Sequence, residues 1–510
     1  MARHVLIRLR RWRYGSRSSA LVRAAEEPGR STTLPLLVIV TGVLITAVDT
    51  TIVVLALPEM QRTLRVGVSG VVWVIIGYLL VLTVLATQVG RLGDMFGRVR
   101  MYEAGFAVFV LGSLLCALAT SEATMIGFRV LQAVGGALIT ANSGAVIADT
   151  FPPERRGQAY GFNAVGWNVG AILGVLLGGA ITTYVSWRWI FWINLPIGTA
   201  ALLVALRVLH ERSERLQHRL DPGGIVLLGA GLFAILWAVT HLATHPVDAT
   251  LVGYLLGGVV LLACFLVVEA RHEEPMLDLS LFRIPTMTPS MLAALLQSVA
   301  NFAVLFLLIM YLQGVRGLSP LHASLLLVPG YLVGGAVGPF AGRLADRVGP
   351  VWPATAGLAV QVLALAIYAQ LGTGTSLAVV VIGSVVNGVG SGGFFPANNT
   401  AVMRVAPERQ YGVASGMLRT FANTGMVFSY SIAILIAAHA VTRSTAFAIF
   451  VGSRTLQPRL ASAFASGAHA AFYASMGFMA AAALLSALRG RHASARQPLP
   501  RENGHAPGRR

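Results

Sequence analysis

The sequence has no lysine, only two cysteines and few charged residues of any kind. Its 38 basic residues are all arginine, its acidic residues number 20, and charged residues make up 11% of the 510-residue chain. Soluble proteins carry about 25% charged residues, so this composition excludes a soluble globular protein and a disordered chain. The two cysteines, Cys116 and Cys264, lie in apolar segments, and we interpret them as packing residues rather than as a disulfide framework.

The chain also lacks the sequence patterns of an ATP-driven pump and of an integral membrane enzyme. The glycine pair at positions 334 and 335 is not followed by the GKS or GKT of a phosphate-binding loop. The 11 histidines show no metal-ligand spacing on one predicted helix, and acidic residues do not cluster at one membrane face. We therefore predict no catalytic residue, no metal and no bound cofactor, with an ion gradient as the energy source.

Long apolar segments dominate the sequence, which is 56% hydrophobic. A helix needs about 20 apolar residues to cross a bilayer, and fourteen segments are long enough. The pattern predicts an all-α polytopic membrane protein with fourteen transmembrane helices, at residues 34–57, 69–90, 101–120, 123–147, 159–183, 190–209, 223–243, 251–269, 289–313, 320–343, 352–371, 375–401, 412–438 and 466–488.

The arginines are distributed unequally between the two sides of these helices. Because the helix count is even, both termini fall on one side, which carries 29 arginines against 7 on the other. The positive-inside rule then places both termini in the cytoplasm. The net charge of +18 thus indicates membrane topology and not nucleic-acid binding.

One loop occurs twice, each time between apolar segments. GRLGDMFGRVR at residues 90–100 returns as GRLADRVGP at residues 342–350, so that Gly342 and Asp346 follow Gly90 and Asp94 by 252 residues. Such duplication is typical of secondary transporters. It predicts a basic cytoplasmic tail at 1–33, a six-helix bundle at 34–209, an inserted two-helix segment with linkers at 210–284, a second six-helix bundle at 285–490 and a cytoplasmic tail at 491–510.

Five motifs in order resemble those of one known family. The first loop fits the pattern G-x-L-x-D-x-x-G-R, helix 1 contains AVDTTIVVLALP, and helix 4 contains Arg129 and Gln132. The segments WRWIFWINLPIG and GGFFPANNTAVM also match. Over about residues 34–490 the chain resembles the major facilitator superfamily, in its fourteen-helix drug–proton antiporter branch.

This resemblance implies a fold and a set of partners. The fold would be two pseudo-symmetric six-helix bundles plus an inserted helix pair. The protein would reside in a bacterial cytoplasmic membrane, exchange protons for a small amphipathic substrate by alternating access, contact only lipid and these ligands, and function as a monomer. The alternative to a drug or antibiotic exporter is a dedicated exporter of one secondary metabolite, siderophore or lipid.

Asp49 is the acidic residue that lies deepest in a predicted helix. An ionised carboxylate inside a membrane is costly and is usually functional or paired. Since Asp49 and Arg129 differ in depth by only about 3 Å at 1.5 Å per residue, and Gln132 follows Arg129 by one turn, we predict that these three residues form the proton-coupling or substrate site. A fixed structural ion pair, or an Arg129 side chain that reaches toward the outer interface, is the alternative.

The repeated loop is predicted to be a conformational gate, formed by Gly90, Asp94, Gly97 and Arg98 with Asp346 in the second copy. A carboxylate near a helix N-terminus interacts favourably with the helix dipole, and the glycines are expected to let helix ends pack closely. By resemblance this cluster stabilises one state of the transport cycle. The alternative is a loop that only sets topology.

Helix 5 and the second bundle supply the remaining candidates. Gly170, Gly174 and Gly178 are predicted to pack closely against another helix, although Val175 stands where the family's exporter motif has proline. Gln297, Asn301, Asn398 and Arg419 are candidate cavity residues, and interhelical hydrogen bonds are the alternative for the three amides. Arg419 lies one turn before the position where the branch has an arginine.

Overall fold

The structure is a computed structural model that describes residues 33–64, 68–211, 220–244, 248–272, 275, 277–407, 411–440 and 458–493. The predicted tails at 1–33 and 491–510 lie almost entirely outside the described residues. Most of the first predicted linker, at 212–219, is also outside them.

The described residues form fourteen long helices, and each predicted apolar segment falls on one of them. They are α1 Thr33–Leu64, α2 Val68–Phe96, α3 Arg98–Leu118, α4 Glu122–Thr150, α5 Pro153–Tyr184, α6 Asn194–Val208, α7 Pro222–Thr244, α8 Ala249–Glu269, α9 Met287–Met310, α10 Pro320–Val348, α11 Val351–Tyr368, α12 Leu377–Val405, α13 Tyr411–Ala440 and α14 Pro458–Ala493. Short helical turns at Trp189–Trp192, Leu279–Arg283 and Tyr311–Val315 complete the described secondary structure.

The length and apolar character of these helices confirm the prediction of an all-α polytopic membrane protein. Within the described ranges, twelve helices are long and apolar enough to cross a membrane, or thirteen if α2 is one span. That helix bends by 55° between its segments Trp73–Ala86 and Gln88–Phe96. The predicted span 412–438 coincides with α13, which is 30 residues long but does not meet this test.

The same helix pairs pack together in both halves of the chain. In the first half α1 packs on α5, α3 on α4, and α2 on α4. In the second half the equivalent pairs are α9 on α13, α11 on α12, and α10 on α12. The halves meet where α5 packs on α10 and where α2 packs on α13. The repeated pairing is the pseudo-symmetry that the duplicated loop predicts.

The inserted helices α7 and α8 pack against each other at one edge of this arrangement. α7 also contacts α2 and α13, so the insert lies beside one of the two interfaces between the halves. α8 is mostly exposed, as only 17% of its span is buried. Exposed apolar surface of this kind faces lipid in a membrane protein.

Candidate functional site

Asp49 and Arg129 form an ion pair inside the first bundle. The Arg129 Nη1 atom lies 2.6 Å from Asp49 Oδ2. Asp49 is 0% exposed and Arg129 1% exposed, although they come from helices 80 residues apart in sequence. Arg129 therefore does not extend to the outer interface, which was the alternative from sequence. A buried pair of this kind is stable only when the remaining polar atoms of both groups also find partners.

Gln132 connects the two charged residues. Its Oε1 accepts a hydrogen bond of 2.7 Å from Arg129 Nη1, and its Nε2 donates to Asp49 Oδ1 at 2.8 Å. Arg129 and Gln132 are three residues apart on α4, which puts both side chains on one helix face. The structure thus brings all three residues of the predicted site into direct contact.

Two further polar residues belong to this network and were not predicted from sequence. Ser113 on α3 accepts from Gln132 Nε2 at 2.6 Å. Asn194, the first residue of α6, donates through Nδ2 to Ser113 Oγ at 3.2 Å and to Asp49 Oδ1 at 3.4 Å. The position of Asn194 in the motif WRWIFWINLPIG was the available signal, since an amide two residues before a proline begins a helix there.

The guanidinium of Arg129 also has an aromatic partner. It lies 4.0 Å from the centre of the Tyr78 ring, and its Nε donates to the Val74 carbonyl at 3.3 Å. Stacking of a desolvated guanidinium on an aromatic face contributes about 2 kcal/mol. Both α2 contacts stabilise the charged arginine beside Asp49. The network closes Asp49 to water and surrounds it with hydrogen-bond donors.

Glycines explain how the helices that carry this network approach one another. A Cβ atom at Gly112 of α3 would lie 2.5 Å from Gln132 Cα, so only glycine permits Ser113 to reach Gln132. On α5, a Cβ at Gly170, Gly174 or Gly178 would lie 2.6, 2.6 and 2.9 Å from α1 carbonyl oxygens. These three glycines form a stripe against the helix that carries Asp49, and α5 continues through Val175 as one helix.

The second bundle has a neutral counterpart to this site. Asn301 on α9 accepts a hydrogen bond of 3.2 Å from Asn387 on α12. One turn earlier on α9, the fully buried Gln297 donates to Gln361 Oε1 of α11 at 3.3 Å. The two predicted cavity residues thus bond to neighbouring helices, which was their alternative interpretation.

Asn398 lies at a different place from the one expected for a cavity residue. Its Oδ1 accepts from Arg489 Nη1 at 2.5 Å, and its Nδ2 donates to the Ser290 carbonyl at 3.2 Å. Arg489, which directly follows the predicted span 466–488, is a fully buried residue of α14. It also donates to Ser290 Oγ and Ser486 Oγ at 2.8 and 2.7 Å. Within the described residues this arginine has no carboxylate partner.

Arg419 differs in exposure from Arg129 and Arg489, the two buried arginines described above. It lies within α13, and its side chain is exposed. Arg419 makes no hydrogen bond or ion pair with any residue that the structure describes.

The first copy of the repeated loop forms a three-residue charge cluster. Arg98 Nε lies 2.8 Å from Asp94 Oδ1, and Arg98 Nη1 lies 2.9 Å from Asp149 Oδ1 at the end of α4. Glu211 adds a fourth charge, because its Oε2 accepts from the Val99 backbone N–H at 3.1 Å. The side chains of Asp94 and Arg98 are both 26% exposed, so the cluster is partly shielded from water.

The glycines of this loop have separate roles. Gly97 has a φ of 111°, a conformation that favours glycine, and it separates α2 from α3. A Cβ at Gly90 would meet no atom within 4 Å, whereas one at Gly93 would overlap Asn142. The predicted close packing therefore falls on Gly93 and not on Gly90.

The second copy of the loop is more open. Asp346 lies 3.6 Å from Arg404 Nη2, and Arg404 also donates to the Asp346 carbonyl at 3.0 Å. The Asp346 side chain is 71% exposed. The two copies take partners of opposite charge. In the first copy the end of α4 supplies an acid, Asp149, which pairs with Arg98. In the second copy the end of α12 supplies a base, Arg404, which pairs with Asp346.

The described residues contain no group of three or more histidine, cysteine, aspartate or glutamate side chains that could hold a metal ion. Cys116 and Cys264 are both free.

Comparisons with known proteins agree with this architecture. The family model of the Major Facilitator Superfamily matches residues 39–430 and 290–509. The chain is 32% identical to the tetracenomycin C resistance and export protein of Streptomyces glaucescens over 396 residues, covering 76% of this chain and 73% of that one. It is 29% identical to a riboflavin transporter of Clostridioides difficile over 392 residues, covering 76% of this chain and 84% of that one.

A solved structure shows the same fold. It is a bacterial homologue of the human lysosomal transporter Spinster, with a TM-score of 0.62 and 17% sequence identity. The alignment covers 91% of this chain and 98% of that one.

Proposed function

Because the chain belongs to the major facilitator superfamily, and is thus a membrane transporter and not an enzyme, we propose that it is a proton-coupled exporter of amphipathic drug-like or antibiotic molecules. The observation that carries this proposal is the buried network around Asp49. The proposed exporter works by alternating access from the cytoplasmic membrane of a bacterium, with both termini in the cytoplasm. It uses the proton gradient without a bound cofactor and functions as a monomer in the bilayer.

In the proposed cycle, the proton and Arg129 compete for the Asp49 carboxylate. The described arrangement is the deprotonated one, in which Arg129 and the amides of Gln132 and Asn194 donate to Asp49. A proton that binds to Asp49 removes the negative charge and leaves Arg129 buried without a counter-ion. Since an uncompensated buried charge is strongly unfavourable, protonation drives a rearrangement of α1 against α4. That movement is the proposed link between proton uptake and the change of access.

Substitution of Asp49 tests this role against that of a fixed structural ion pair. In inside-out vesicles, wild-type protein should release protons from the vesicle lumen when substrate is added, and Asp49→Asn should abolish this release. Glu59→Gln, which removes a partly exposed acid outside the network and outside the repeated loops, is the matched control and should retain most of it. Undiminished exchange by a folded Asp49→Asn variant would reject the coupling role.

The proposed substrate preference rests on Arg419. An exposed arginine within a helix of the second bundle that has no described partner favours ligands with carbonyl, hydroxyl or anionic oxygens over cationic ligands. We therefore propose amphipathic molecules rich in such acceptors as substrates. Arg419→Ala should reduce resistance to these compounds more than resistance to lipophilic cations, in a susceptibility panel with an efflux-deficient bacterium.

The second candidate function is transport of one physiological compound. The similarity to a protein named for one exported antibiotic and to one named for riboflavin favours this alternative. The same susceptibility panel separates the two functions, with Asp49→Asn as the inactive reference. If wild type and Asp49→Asn give equal susceptibility to every compound, the multidrug function is rejected in favour of the dedicated one.

A further inference from the structure

A pair of buried acidic residues lies at the base of the inserted helices, outside the network described above. Asp221 immediately precedes α7, and Glu269 is the last residue of α8. Both are only 2% exposed. Isolated carboxylates at such a degree of burial are strongly disfavoured, so their hydrogen bonds need a complete explanation.

Each carboxyl group has one oxygen with a partner and one without. Asp221 Oδ1 accepts from the Gly224 N–H at 2.7 Å, and Glu269 Oε2 accepts from the Leu277 N–H at 3.0 Å. Asp221 Oδ2 and Glu269 Oε1 are buried and have no hydrogen-bond partner among the described residues. Both oxygens would contact the same Cβ atom if Gly224 had one, with Glu269 Oε1 at 2.9 Å. The two side chains are therefore within hydrogen-bonding reach of each other.

We propose that Asp221 and Glu269 share one proton and so form a proton-dependent clasp at the base of the inserted helix pair. One proton satisfies both oxygens, because a carboxyl O–H on Glu269 Oε1 donates to Asp221 Oδ2. Asp221 keeps the negative charge, since it caps the N-terminus of α7, where the helix dipole favours an anion. Two adjacent carboxyl groups that hold a single proton are well known as a coupled pair.

The clasp is connected to the first copy of the repeated loop. Glu269 holds the Leu277 backbone, and two residues before Leu277 the Pro275 carbonyl accepts a hydrogen bond from Arg91. Loss of the proton leaves two buried carboxylates that repel each other. Glu269 then leaves its position, and the segment around Pro275 and Leu277 is no longer held against Arg91. The clasp thus makes the position of the inserted helices sensitive to pH at the end of the bundle where the gate is predicted.

Few charged groups surround the pair among the described residues, and those at 212–219 lie outside them. Arg91 acts on Glu269 from α2, and Arg271 and His272 follow α8 in sequence. α13, which packs on α7, carries Arg419. Glu273 and Glu274 lie outside the described residues. The test must therefore assign the proton by substitution at Asp221 and Glu269, and not from a pH profile of the wild type alone.

Infrared spectroscopy of the full-length purified protein in nanodiscs detects the shared proton directly. At neutral pH the wild type should show the C=O band of a protonated carboxyl group, shifted in heavy water. The band should be absent from the double variant Asp221→Asn/Glu269→Gln and retained in Asp49→Asn, because Arg129 keeps Asp49 ionised. If the double variant keeps the band, or if the wild type has none, the proposal is rejected. This readout does not depend on transport, so it can fail while the proposed function stands.

The pH dependence of stability provides the second test. A proton held in the folded state and released on unfolding makes the protein less stable as the pH rises. The affected pH window runs from the pKa of an unfolded Glu, about 4, to the pKa of Glu269 in the folded protein, which burial raises to about 7. For one proton, the unfolding equilibrium constant of wild type relative to Glu269→Gln should increase tenfold per pH unit over that window. Glu269→Gln should not show this change, because its amide donates to Asp221 at every pH. Parallel profiles of the two proteins would identify Asp221 as a helix cap only and reject the clasp.

Neighbouring glycines give a matched pair of variants. Gly224→Ala places a methyl group between the two carboxyl groups and should remove the infrared band. Gly223→Ala should keep the band, since its Cβ would lie at an ordinary 3.5 Å from Asp221 Oδ1. Equal bands in both variants would contradict the proposed arrangement.

Discussion

The two halves of the molecule have the same helix pairing but different chemistry at equivalent positions. Asn301 follows Asp49 by 252 residues, the same spacing as between the two copies of the repeated loop. Each residue lies on the first helix of its half and accepts a hydrogen bond from an amide of the fourth, Gln132 in one case and Asn387 in the other. The first half thus has a carboxylate where the second half has a neutral amide.

The arginine that pairs with Asp49 also has no counterpart at the equivalent position of the second half. α4 and α12 begin and end 255 residues apart, which aligns Arg129 with Ser384. On the preceding helices, Tyr78 aligns with Gly330. Arg129 stacks on the Tyr78 ring, whereas a Cβ at Gly330 would overlap the Ser384 carbonyl. The helix pair α10–α12 therefore packs backbone against backbone and leaves no room for a guanidinium. At these equivalent positions the first half carries an ion pair, and the second half carries neutral residues in close backbone contact.

The largest expected effect comes from removal of the cation from the first half. Arg129→Gln leaves the Asp49 carboxylate buried without a counter-ion and should reduce stability by about 3–5 kcal/mol. Asp49→Asn/Arg129→Gln, which makes the site neutral as it is in the second half, should recover most of this loss but should not couple proton movement to transport. Thermal unfolding of the purified wild type, single variants and double variant measures these stability differences. A double variant as unstable as Arg129→Gln would show that the two halves are not interchangeable in this way.

A charge placed in the second half should have the next largest effect. Asn301→Asp introduces an acid into the middle of a bundle with no arginine at position 384, and a cost of about 2.5–3.5 kcal/mol is expected. Asn301→Ala is the control for the loss of the amide and should be milder. Addition of Ser384→Arg should not restore stability, because the contact between Gly330 and Ser384 excludes the new side chain. Restoration would disprove the steric explanation of the asymmetry.

Arg489 tests whether a buried charge in the second half is structural. Arg489→Met removes the donors to Ser290 and Asn398 and leaves their oxygens unsatisfied, which should cost about 1–3 kcal/mol. Transport per folded molecule should remain, since no titratable group contacts this arginine among the described residues. Measurement of unfolding temperature and of proton exchange on the same preparation separates the two effects. A coupling defect larger than the stability defect would assign Arg489 to the transport mechanism.

The two loop copies should give the smallest effect and a direct comparison. Asp94→Asn breaks a partly shielded cluster and should reduce stability by at most about 1 kcal/mol, with Asp346→Asn close to zero because exposed ion pairs contribute little. Transport should likewise be reduced more by Asp94→Asn than by Asp346→Asn. A cysteine-accessibility assay of both variants measures the balance between inward- and outward-open states. An equal shift in both variants would contradict an asymmetric gate.

The agreement between sequence and structure depends on how local each property is. The fourteen apolar segments, the similar depth of Asp49 and Arg129, and the shared face of Arg129 and Gln132 follow from helix length and rise alone. Ser113 and Asn194 could not be assigned in the same way, because a serine or an asparagine in an apolar helix has no depth signal of its own. Their role became evident only when the helices were packed.

The rotation of each helix about its axis is the property that sequence did not provide. Asn398 was expected at a cavity and instead contacts Arg489, and Gln297 contacts Gln361. These helices are apolar on all sides, so no amphipathic stripe indicates which face turns inward. The neighbours of a polar side chain then depend on close contacts such as those at Gly112, Gly330 and Gly174.

By itself the sequence determined that this chain is a duplicated bundle of membrane helices with an acid and an arginine at one depth. Hydrophobic length and helical rise are properties of each segment, so they can be read without knowledge of its neighbours. Only the tertiary structure decided that Asp49 and Arg129 touch, that the second half carries a neutral amide pair, and that Asp221 meets Glu269 across 48 residues of chain. Those contacts depend on helix rotation and on glycine-permitted approach, which arise only when the whole bundle is packed.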